Sequence, residues 1–234
     1  MSVDLNVDLG ELPDEPEELY SLATVVNIAC GGHAGDEPSM VRAVERARRF
    51  GARIAAHPSY PDPENFGRCS LAMDLGALYE TLVDQCDALA DIARASGVDV
   101  ELVKLHGALY HDASDRPEVA AAVLDGIVSA LPFGPVIVGP HGGALGPAAR
   151  ARELPYAREA FADRRYDPNG KLIPRSQPNA LIEDPAQAAE QAVRLARSGE
   201  FETICVHGDG RNALLVAKAV RNALKHEKLL RVAR

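Results

Sequence analysis

Val100-Glu-Leu-Val-Lys104-Leu-His106-Gly is a short apolar run that ends in a lysine, a histidine and a glycine. Three other runs end in a histidine beside glycine or proline, and a fourth ends in alternating acidic and amide residues. These four are Asp4-Leu-Asn6-Val-Asp8-Leu-Gly-Glu11, Asn27-Ile-Ala-Cys-Gly-Gly-His33-Ala-Gly-Asp36, Ala55-Ala-His57-Pro and Ile204-Cys-Val-His207-Gly-Asp209. In α/β proteins, the carboxyl ends of parallel strands converge on one pocket. The pattern therefore predicts a single active site built from the whole chain.

Apolar runs of strand length alternate with segments of helical spacing. Strands are predicted at 3–7, 25–29, 53–56, 100–105, 135–139, 156–161 and 203–206, helices at 37–50, 75–92, 117–131, 144–152, 185–197 and 212–225, and a polar loop at 163–178. This order implies a parallel sheet, and no linker or repeat divides it. We therefore predict one α/β domain over residues 1–234, a barrel-like fold of seven β/α units. An open doubly wound sheet is the alternative, but functional groups after nearly every strand favour the barrel.

The composition excludes several classes of protein. No apolar run reaches the roughly 20 residues that span a membrane, and the N-terminus has no pattern of a signal peptide. The net charge of −9, with both signs interspersed, argues against a nucleic-acid surface. Four cysteines without CxxC spacing suggest reduced thiols, and a cytoplasmic protein is expected. Cys30 and Cys205 lie near histidines, but a buried apolar role is favoured over a nucleophilic one.

The acidic candidates lie at the start of the chain. Asp4, Asn6 and Asp8 alternate, so they face one side of a strand. Buried polar side chains need partners, and a structural hydrogen-bond network is one explanation. A substrate, metal or catalytic role is favoured, with Asp8 and Glu11 as the candidates for acid/base chemistry.

The basic candidates lie at strand ends and in loops. Lys104 and His106 share one face of the fourth strand, and a buried lysine needs an anionic partner. Arginines suited to carboxylate or phosphate binding lie in polar loops at Arg68, Arg164 and Arg175. Asp209 is expected to orient His207 or to cap the last helix. Helix N-caps are predicted at Asp36, Asp115 and Asp184.

Taken together, these motifs resemble one known family along nearly the whole chain. The matching stretches are Asp4-x-Asn6-x-Asp8-x-Gly10-Glu11, Asn27-Ile-Ala-Cys-Gly-x-His33-Ala-Gly-Asp36, His57-Pro-x-Tyr60-Pro-Asp62 with Phe66-Gly-Arg68, Lys104-x-His106-Gly-Ala-Leu-Tyr110, Glu159-x-Phe-Ala-Asp163-Arg164-x-Tyr166 with Pro174-Arg175, and Thr203-Ile-Cys-Val-His207-Gly-Asp209. In this order they resemble the LamB/YcsF family. Gly32, Leu105, Cys69 and His111 depart from the residues usual there, and they predict a looser pocket or a different small substrate.

The resemblance implies a barrel of the glycoside hydrolase/deacetylase type. It also implies an ATP-dependent 5-oxoprolinase that opens the lactam of 5-oxoproline to L-glutamate, with this chain as the A subunit beside the B and C subunits. The chain has no P-loop of its own, so ATP is expected to be handled with these partners. Catalytic roles are expected for Asp8, His57, Lys104 and His106, and substrate contacts for Asn6, Glu11, Asn27, His33, Arg68, Asp163, Arg164, Arg175, His207 and Asp209.

Within this set, Lys104 or Arg68 would hold the substrate carboxylate. Asp8 or His57 would activate water, and His106 with backbone amides would stabilise the oxyanion. One alternative function is a metal-dependent hydrolase or deacetylase that uses Asp8, His33 and His57 as ligands of a divalent metal. Another is a barrel that binds a small carboxylate without turnover.

Overall fold

The strands pair side by side in chain order, and the last strand returns to the first. The computed structural model describes residues 2–231, and their strands are β1 (Asp4–Leu9), β2 (Val25–Ala29), β3 (Arg53–His57), β4 (Val100–Lys104), β5 (Val136–Pro140), β6 (Tyr156–Phe161) and β7 (Thr203–His207). All neighbouring pairs are parallel, and β1 pairs with both β2 and β7 to close the barrel. The predicted barrel is therefore confirmed over the open sheet.

Helices lie between the strands and cover the outside of the barrel. They are α1 (Glu18–Leu22), α2 (Glu37–Phe50), α3 (Leu75–Ala95), α4 (Gly107–Asp115), α5 (Pro117–Ala130), α6 (Leu145–Ala151), α7 (Pro185–Ser198) and α8 (Ala213–His226), with a short 3-10 helix at Pro63–Asn65. Among residues 2–231, no helix combines the length and the apolar composition that a membrane crossing requires.

The helix caps confirm two of the predicted boundaries and correct a third. Asp36 accepts a hydrogen bond from the Ser39 backbone N–H as the N-cap of α2, and Asp184 caps α7 in the same way. Asp115 does not cap α5, because it is the last residue of α4. The N-cap of α5 is Arg116, whose side chain makes no capping hydrogen bond.

The interior of the barrel is apolar in one layer and polar in another. Val25, Ala55, Leu102 and Val138 form a small buried cluster of their own, one from each of β2 to β5. On β1, Leu5 and Leu9 instead belong to the main apolar core of the molecule. The alternate residues of β1 are the polar ones, and they are buried as well. The period of two along β1 therefore aims its polar side chains into the barrel.

Candidate active site

Lys104, at the end of β4, lies at the centre of a buried group of charged side chains. Its Nζ lies 2.8 Å from Asp8 Oδ1, 3.1 Å from Glu159 Oε1 and 3.0 Å from Cys205 Sγ. Only 2% of Lys104 is exposed. These four residues are called the lysine centre below. The prediction that buried Lys104 has a carboxylate partner is confirmed, since it has two.

The electrostatics of the lysine centre favour an ammonium paired with a carboxylate. Burial alone would lower the pKa of Lys104, but Asp8, Cys205 and Glu159 raise it well above its ordinary value. Burial likewise opposes ionisation of Asp8, yet Lys104 and His57 hold the pKa of this carboxyl well below its usual range. Burial raises the pKa of Glu159, which makes it the carboxyl of the pair that protonates more readily.

Burial disfavours the charged form of the thiols next to the site. Burial raises the pKa of Cys205 well above its ordinary value, and the Asp8 carboxylate adds to the effect. Burial raises the pKa of Cys30 to about 12. Both cysteines are buried as expected, and a raised pKa disfavours the thiolate, which is the nucleophilic form. Cys205 is not surrounded by apolar groups alone, since its sulfur lies 3.0 Å from Lys104 Nζ.

Two asparagines fix the position of the Asp8 carboxylate. Asn27 Nδ2 donates to Asp8 Oδ1 and to Asn6 Oδ1, both at 2.7 Å. Asn6 Nδ2 in turn donates to Glu159 Oε1 at 3.0 Å and to Thr203 Oγ1 at 2.7 Å. Asn6 on β1 thus belongs to a structural hydrogen-bond network. Asp8 joins this network through Oδ1, and its Oδ2 lies outside it.

A second group, the histidine cluster, consists of Glu11, His33, His57 and His106. Glu11 Oε1 lies 3.0 Å from His33 Nε2, 3.3 Å from His106 Nδ1 and 3.8 Å from His57 Nε2. His57 Nε2 and His106 Nδ1 are 3.0 Å apart. One donor atom from each residue lies within 4.8 Å of all the others, and all four residues are buried. These atoms are close enough together to surround one metal ion.

This donor set differs from the predicted metal ligands Asp8, His33 and His57. The structure supplies the carboxylate from Glu11 rather than Asp8, whose Oδ2 lies 3.7 Å from His57 Nε2. Asp8 instead contacts Lys104 and Asn27 through Oδ1. His106, for which the sequence predicts a catalytic role, joins the cluster.

Gly67 lets the loop after β3 press against the histidine cluster. Its φ is +63°, and a Cβ placed there would lie 2.8 Å from His33 Cβ and 3.1 Å from His106 Cδ2. The left-handed backbone and the lack of a side chain are both needed, so glycine is required at this position. The loop then places the Phe66 carbonyl 3.0 Å from His106 Nε2.

Two arginines form a rim at the mouth of the barrel. Arg175 Nη2 lies 2.9 Å from both oxygens of Asp209, and Arg68 contacts the same carboxylate. Asp209 therefore pairs with arginines rather than orienting His207 or capping α8, whose N-cap is Asn212. Arg164 lies apart from the rim, 5% exposed, and donates to the Ile173 carbonyl.

The carboxylate that orients His207 is Asp163. Its oxygens lie 2.9 and 3.0 Å from His207 Nδ1, and one of them accepts the His207 backbone N–H at 2.8 Å. Burial would lower the pKa of His207, but Asp163 raises it above its ordinary value. Burial opposes ionisation of Asp163, and His207 lowers its pKa. The two residues form an acid–histidine pair, in which His207 ends the strand next to Asp8 and Asp163 follows the end of β6.

Comparisons with known proteins give the same family as the motifs. The family model described as LamB/YcsF family matches residues 3–233. This chain belongs to the LamB/YcsF family. It is 41% identical to the A subunit of 5-oxoprolinase from Methylococcus capsulatus over 95% of this chain and 92% of that protein. A lactam utilization protein from Thermus thermophilus has a crystal structure that matches with a TM-score of 0.92 and 33% identity over 100% of both chains.

More distant structures share the fold alone. The catalytic domain of a peptidoglycan N-acetylglucosamine deacetylase from Eubacterium rectale matches 97% of this chain and 83% of its own, with a TM-score of 0.51 and 13% identity. The fold class expected from the resemblance to the LamB/YcsF family, a barrel of the glycoside hydrolase/deacetylase type, is thereby confirmed.

The residues predicted to converge on a single site do lie together at the carboxyl ends of the strands. Asp8, His33, His57, Lys104 and His106 are joined by contacts with one another or through Glu11. His207 lies opposite Asp8 in the β1–β7 pairing. Two grooves on the outer surface, at α7 and α8 and around Phe133, are lined by none of these residues.

The structure departs from the sequence-based expectations at two further places. Glu159 belongs to one of the family motifs but has no predicted role, although its inward place on β6 puts a carboxylate against Lys104. Gly32 is expected from the sequence to loosen the pocket. A Cβ there would instead meet Gln85 Oε1 at 2.4 Å and Ser59 Oγ at 2.5 Å, so neighbouring side chains already occupy the space.

Proposed function

We propose that this chain is the A subunit of an ATP-dependent 5-oxoprolinase. In this proposal the barrel binds 5-oxoproline and takes part in opening its lactam to L-glutamate, and the B and C subunits supply the coupling to ATP hydrolysis. The observation that carries the proposal is the 41% identity, over nearly the full length of both chains, to a 5-oxoprolinase A subunit. The buried, charge-paired site in the barrel is compatible with this chemistry.

The arginine rim is suited to the substrate carboxylate. Two guanidinium groups share the single carboxylate of Asp209, which leaves an excess positive charge for an anion. Guanidinium groups bind carboxylates in a bidentate manner. Lys104 is the less suitable of the two predicted groups, because two protein carboxylates already engage its ammonium.

Asp8 is suited to activate the attacking water. Lys104 and Asn27 hold Oδ1, which leaves Oδ2, 3.9 Å from Cys205 Sγ, as the oxygen that would accept the proton. The oxygen of water forms a bond to the lactam carbonyl carbon, its proton passes to Asp8, and the ring C–N bond breaks as the nitrogen takes up a proton. The histidine cluster would stabilise the developing oxyanion only with a positive charge among its nitrogens.

ATP supplies the driving force, because opening an unstrained five-membered lactam is unfavourable near neutrality. The sequence contains no Gly-Lys-Ser or Gly-Lys-Thr. The glycine-rich segment 139–146 runs from the end of β5 into α6 and lacks the lysine of a P-loop. We therefore assign ATP binding to the complex of this chain with its partner subunits.

Reconstitution tests the proposal. Glutamate release from 5-oxoproline is measured for this chain alone, for the B and C subunits alone, and for all three with and without ATP. Glutamate is expected only from the complete, ATP-supplied mixture, at one ADP per glutamate. Absence of turnover in the complete complex would reject the activity, and a ligand-induced rise in Tm without turnover would favour the carboxylate-binding barrel.

A metal-dependent hydrolase is the second candidate, and the histidine cluster favours it. Three imidazoles and a carboxylate meet in one buried place, a donor set that suits zinc and other divalent transition metals. This function predicts hydrolysis of an acetylated amino sugar by the chain alone, without ATP. A metal-supplemented chain with no such activity, in a preparation whose complex opens 5-oxoproline, would exclude it.

A further inference from the structure

The tautomers of His57 and His106 are fixed by two backbone carbonyls. His57 Nδ1 lies 2.8 Å from the Lys104 carbonyl, and His106 Nε2 lies 3.0 Å from the Phe66 carbonyl. A carbonyl oxygen only accepts, so each of these nitrogens carries the proton. In the neutral rings, His57 Nε2 and His106 Nδ1 therefore both present lone pairs, although they face each other at 3.0 Å. Such a pair is stable only with a positive charge between the two nitrogens.

Glu11 adds a third donor to the same place. Its Oε1 lies 3.3 Å from His106 Nδ1 and 3.8 Å from His57 Nε2. Ligands about 2.0 Å from a tetrahedral metal ion are about 3.3 Å from one another. The three separations between these donors, 3.0, 3.3 and 3.8 Å, lie around that value.

His33 has a different part in the cluster. Its ring is stacked on that of His106, with centroids 3.6 Å apart and planes 2° from parallel. The ring nitrogens of two stacked, parallel rings point in parallel directions, so the two rings cannot both direct a lone pair at the same ion. His33 Nε2 instead donates to Glu11 Oε1 at 3.0 Å and holds the carboxylate in place. A hydrogen bond behind each ligand is typical of metal sites.

We propose that Glu11, His57 and His106 bind one divalent transition metal ion, with His33 as the residue that positions Glu11. Two histidines and a glutamate form an open zinc-type site with a further position for water or a substrate oxygen. Asp8 Oδ2, 3.7 Å from His57 Nε2, places the lysine centre beside it. The proposal does not depend on the 5-oxoprolinase assignment, since metal binding is measured on the chain itself.

The first test uses the unmodified protein. The chain is stripped with chelator and titrated with Co²⁺ in the visible spectrum and with Zn²⁺ by calorimetry. We expect one ion per chain, with the d–d absorption of a four- or five-coordinate cobalt ion bearing nitrogen ligands. Failure of both ions to bind stoichiometrically would overturn the proposal and would leave a shared proton between His57 and His106.

The second test identifies the ligands. Glu11→Gln and His106→Ala should lower the affinity for Zn²⁺ by more than 100-fold, whereas His33→Asn should lower it by roughly 10–100-fold, as expected for a residue that orients a ligand. His141→Ala removes an exposed histidine and is the control with unchanged affinity. Circular dichroism verifies that each variant is folded. Stoichiometric binding that survives in folded Glu11→Gln and His106→Ala would place the ion elsewhere and refute the assignment.

Discussion

The lysine centre and the histidine cluster are neighbours in the barrel, but their polar atoms are satisfied in opposite ways. The Lys104 ammonium has two carboxylates and a thiol around it, so its charge is balanced from within the protein. In the histidine cluster, two imidazole nitrogens with lone pairs face each other at 3.0 Å. The lysine centre is paired internally except at Glu159 Oε2, which has no hydrogen-bond partner among the described residues, and such pairing fixes geometry. The two facing lone pairs of the histidine cluster instead require a positive charge between them. The lysine centre therefore holds Asp8 in position for its proposed role, and the histidine cluster is suited to bind a cation.

Lys104→Ala breaks the lysine centre and should have the largest effect. It leaves Asp8 buried without its cation, and loss of one partner of a buried ion pair costs about 3–5 kcal/mol. We also expect glutamate formation by the complex to be abolished. Urea unfolding and turnover measure the two effects.

A paired substitution separates charge balance from function. The double variant Lys104→Met with Asp8→Asn removes the ion pair and leaves Glu159, whose raised pKa lets it take up a proton. It should therefore regain part of the lost free energy of unfolding but none of the activity. Equal free energies of unfolding for the single and double variants would show that the ion pair between Lys104 and Asp8 does not stabilise this region.

Gly67→Ala disturbs the histidine cluster and should have the next largest effect on stability. The substitution adds both backbone strain, at a φ of +63°, and a clash with His33 Cβ at 2.8 Å. Gly51→Ala is the matched control, because Gly51 has a φ of +69° with no atom within 4 Å of its Cβ position. The control should lose about 1–2 kcal/mol of unfolding free energy, and Gly67→Ala a further 1–3 kcal/mol or so. Equal losses in urea unfolding would mean that the loop does not press on the cluster.

Asp163→Asn extends the comparison to the edge of the site. Burial and Arg175 lower the pKa of His207, but Asp163 and Asp8 raise it above its ordinary value in the folded protein. The stabilisation that comes from protonated His207 is therefore present below about pH 6.5 and is lost as the pH rises through the folded pKa. The pKa of Asp163 is lowered, so the stabilisation that comes from its ionised carboxylate is present above about pH 4 and is lost in acid. The pair therefore contributes most between these values.

The asparagine variant keeps the oxygen that accepts the His207 backbone N–H but loses the charge. It should cost about 1.5–3 kcal/mol at pH 5 and clearly less at pH 9. Chemical denaturation at the two pH values measures the difference, with exposed Asp99→Asn as a control that should not show it. A cost independent of pH would mean that His207 is neutral in the folded protein.

The contrast between the two regions also separates what the sequence predicts from what it does not. The order of the strands and the location of the site can be predicted, because each apolar run and the polar residues at its end are contiguous in the sequence. Glu159 as a partner of Lys104 does not follow in the same way, because β4 and β6 are not paired with each other and only the closed barrel brings these two side chains together. The sequence does not mark Glu11 as a metal ligand, since it lies just beyond β1, where the alternation of a strand no longer fixes its direction. Helix α4 is not predicted because it starts at Gly107, directly after the strand end.

Arg68→Ala addresses the most exposed part of the site and should have the smallest effect. The Arg68 side chain is 37% exposed and shares Asp209 with Arg175, so its removal leaves one guanidinium at the mouth and no buried charge unpaired. If the rim binds the substrate carboxylate equally in the ground and transition states, KM for 5-oxoproline should rise roughly tenfold while kcat of the complex is unchanged. Arg165→Ala, in the neighbouring loop with an exposed contact to Gln187, is the control. A fall in kcat with an unchanged KM would instead place Arg68 among the groups that act only in the transition state, and the division between a binding rim and a positioning centre would then fail.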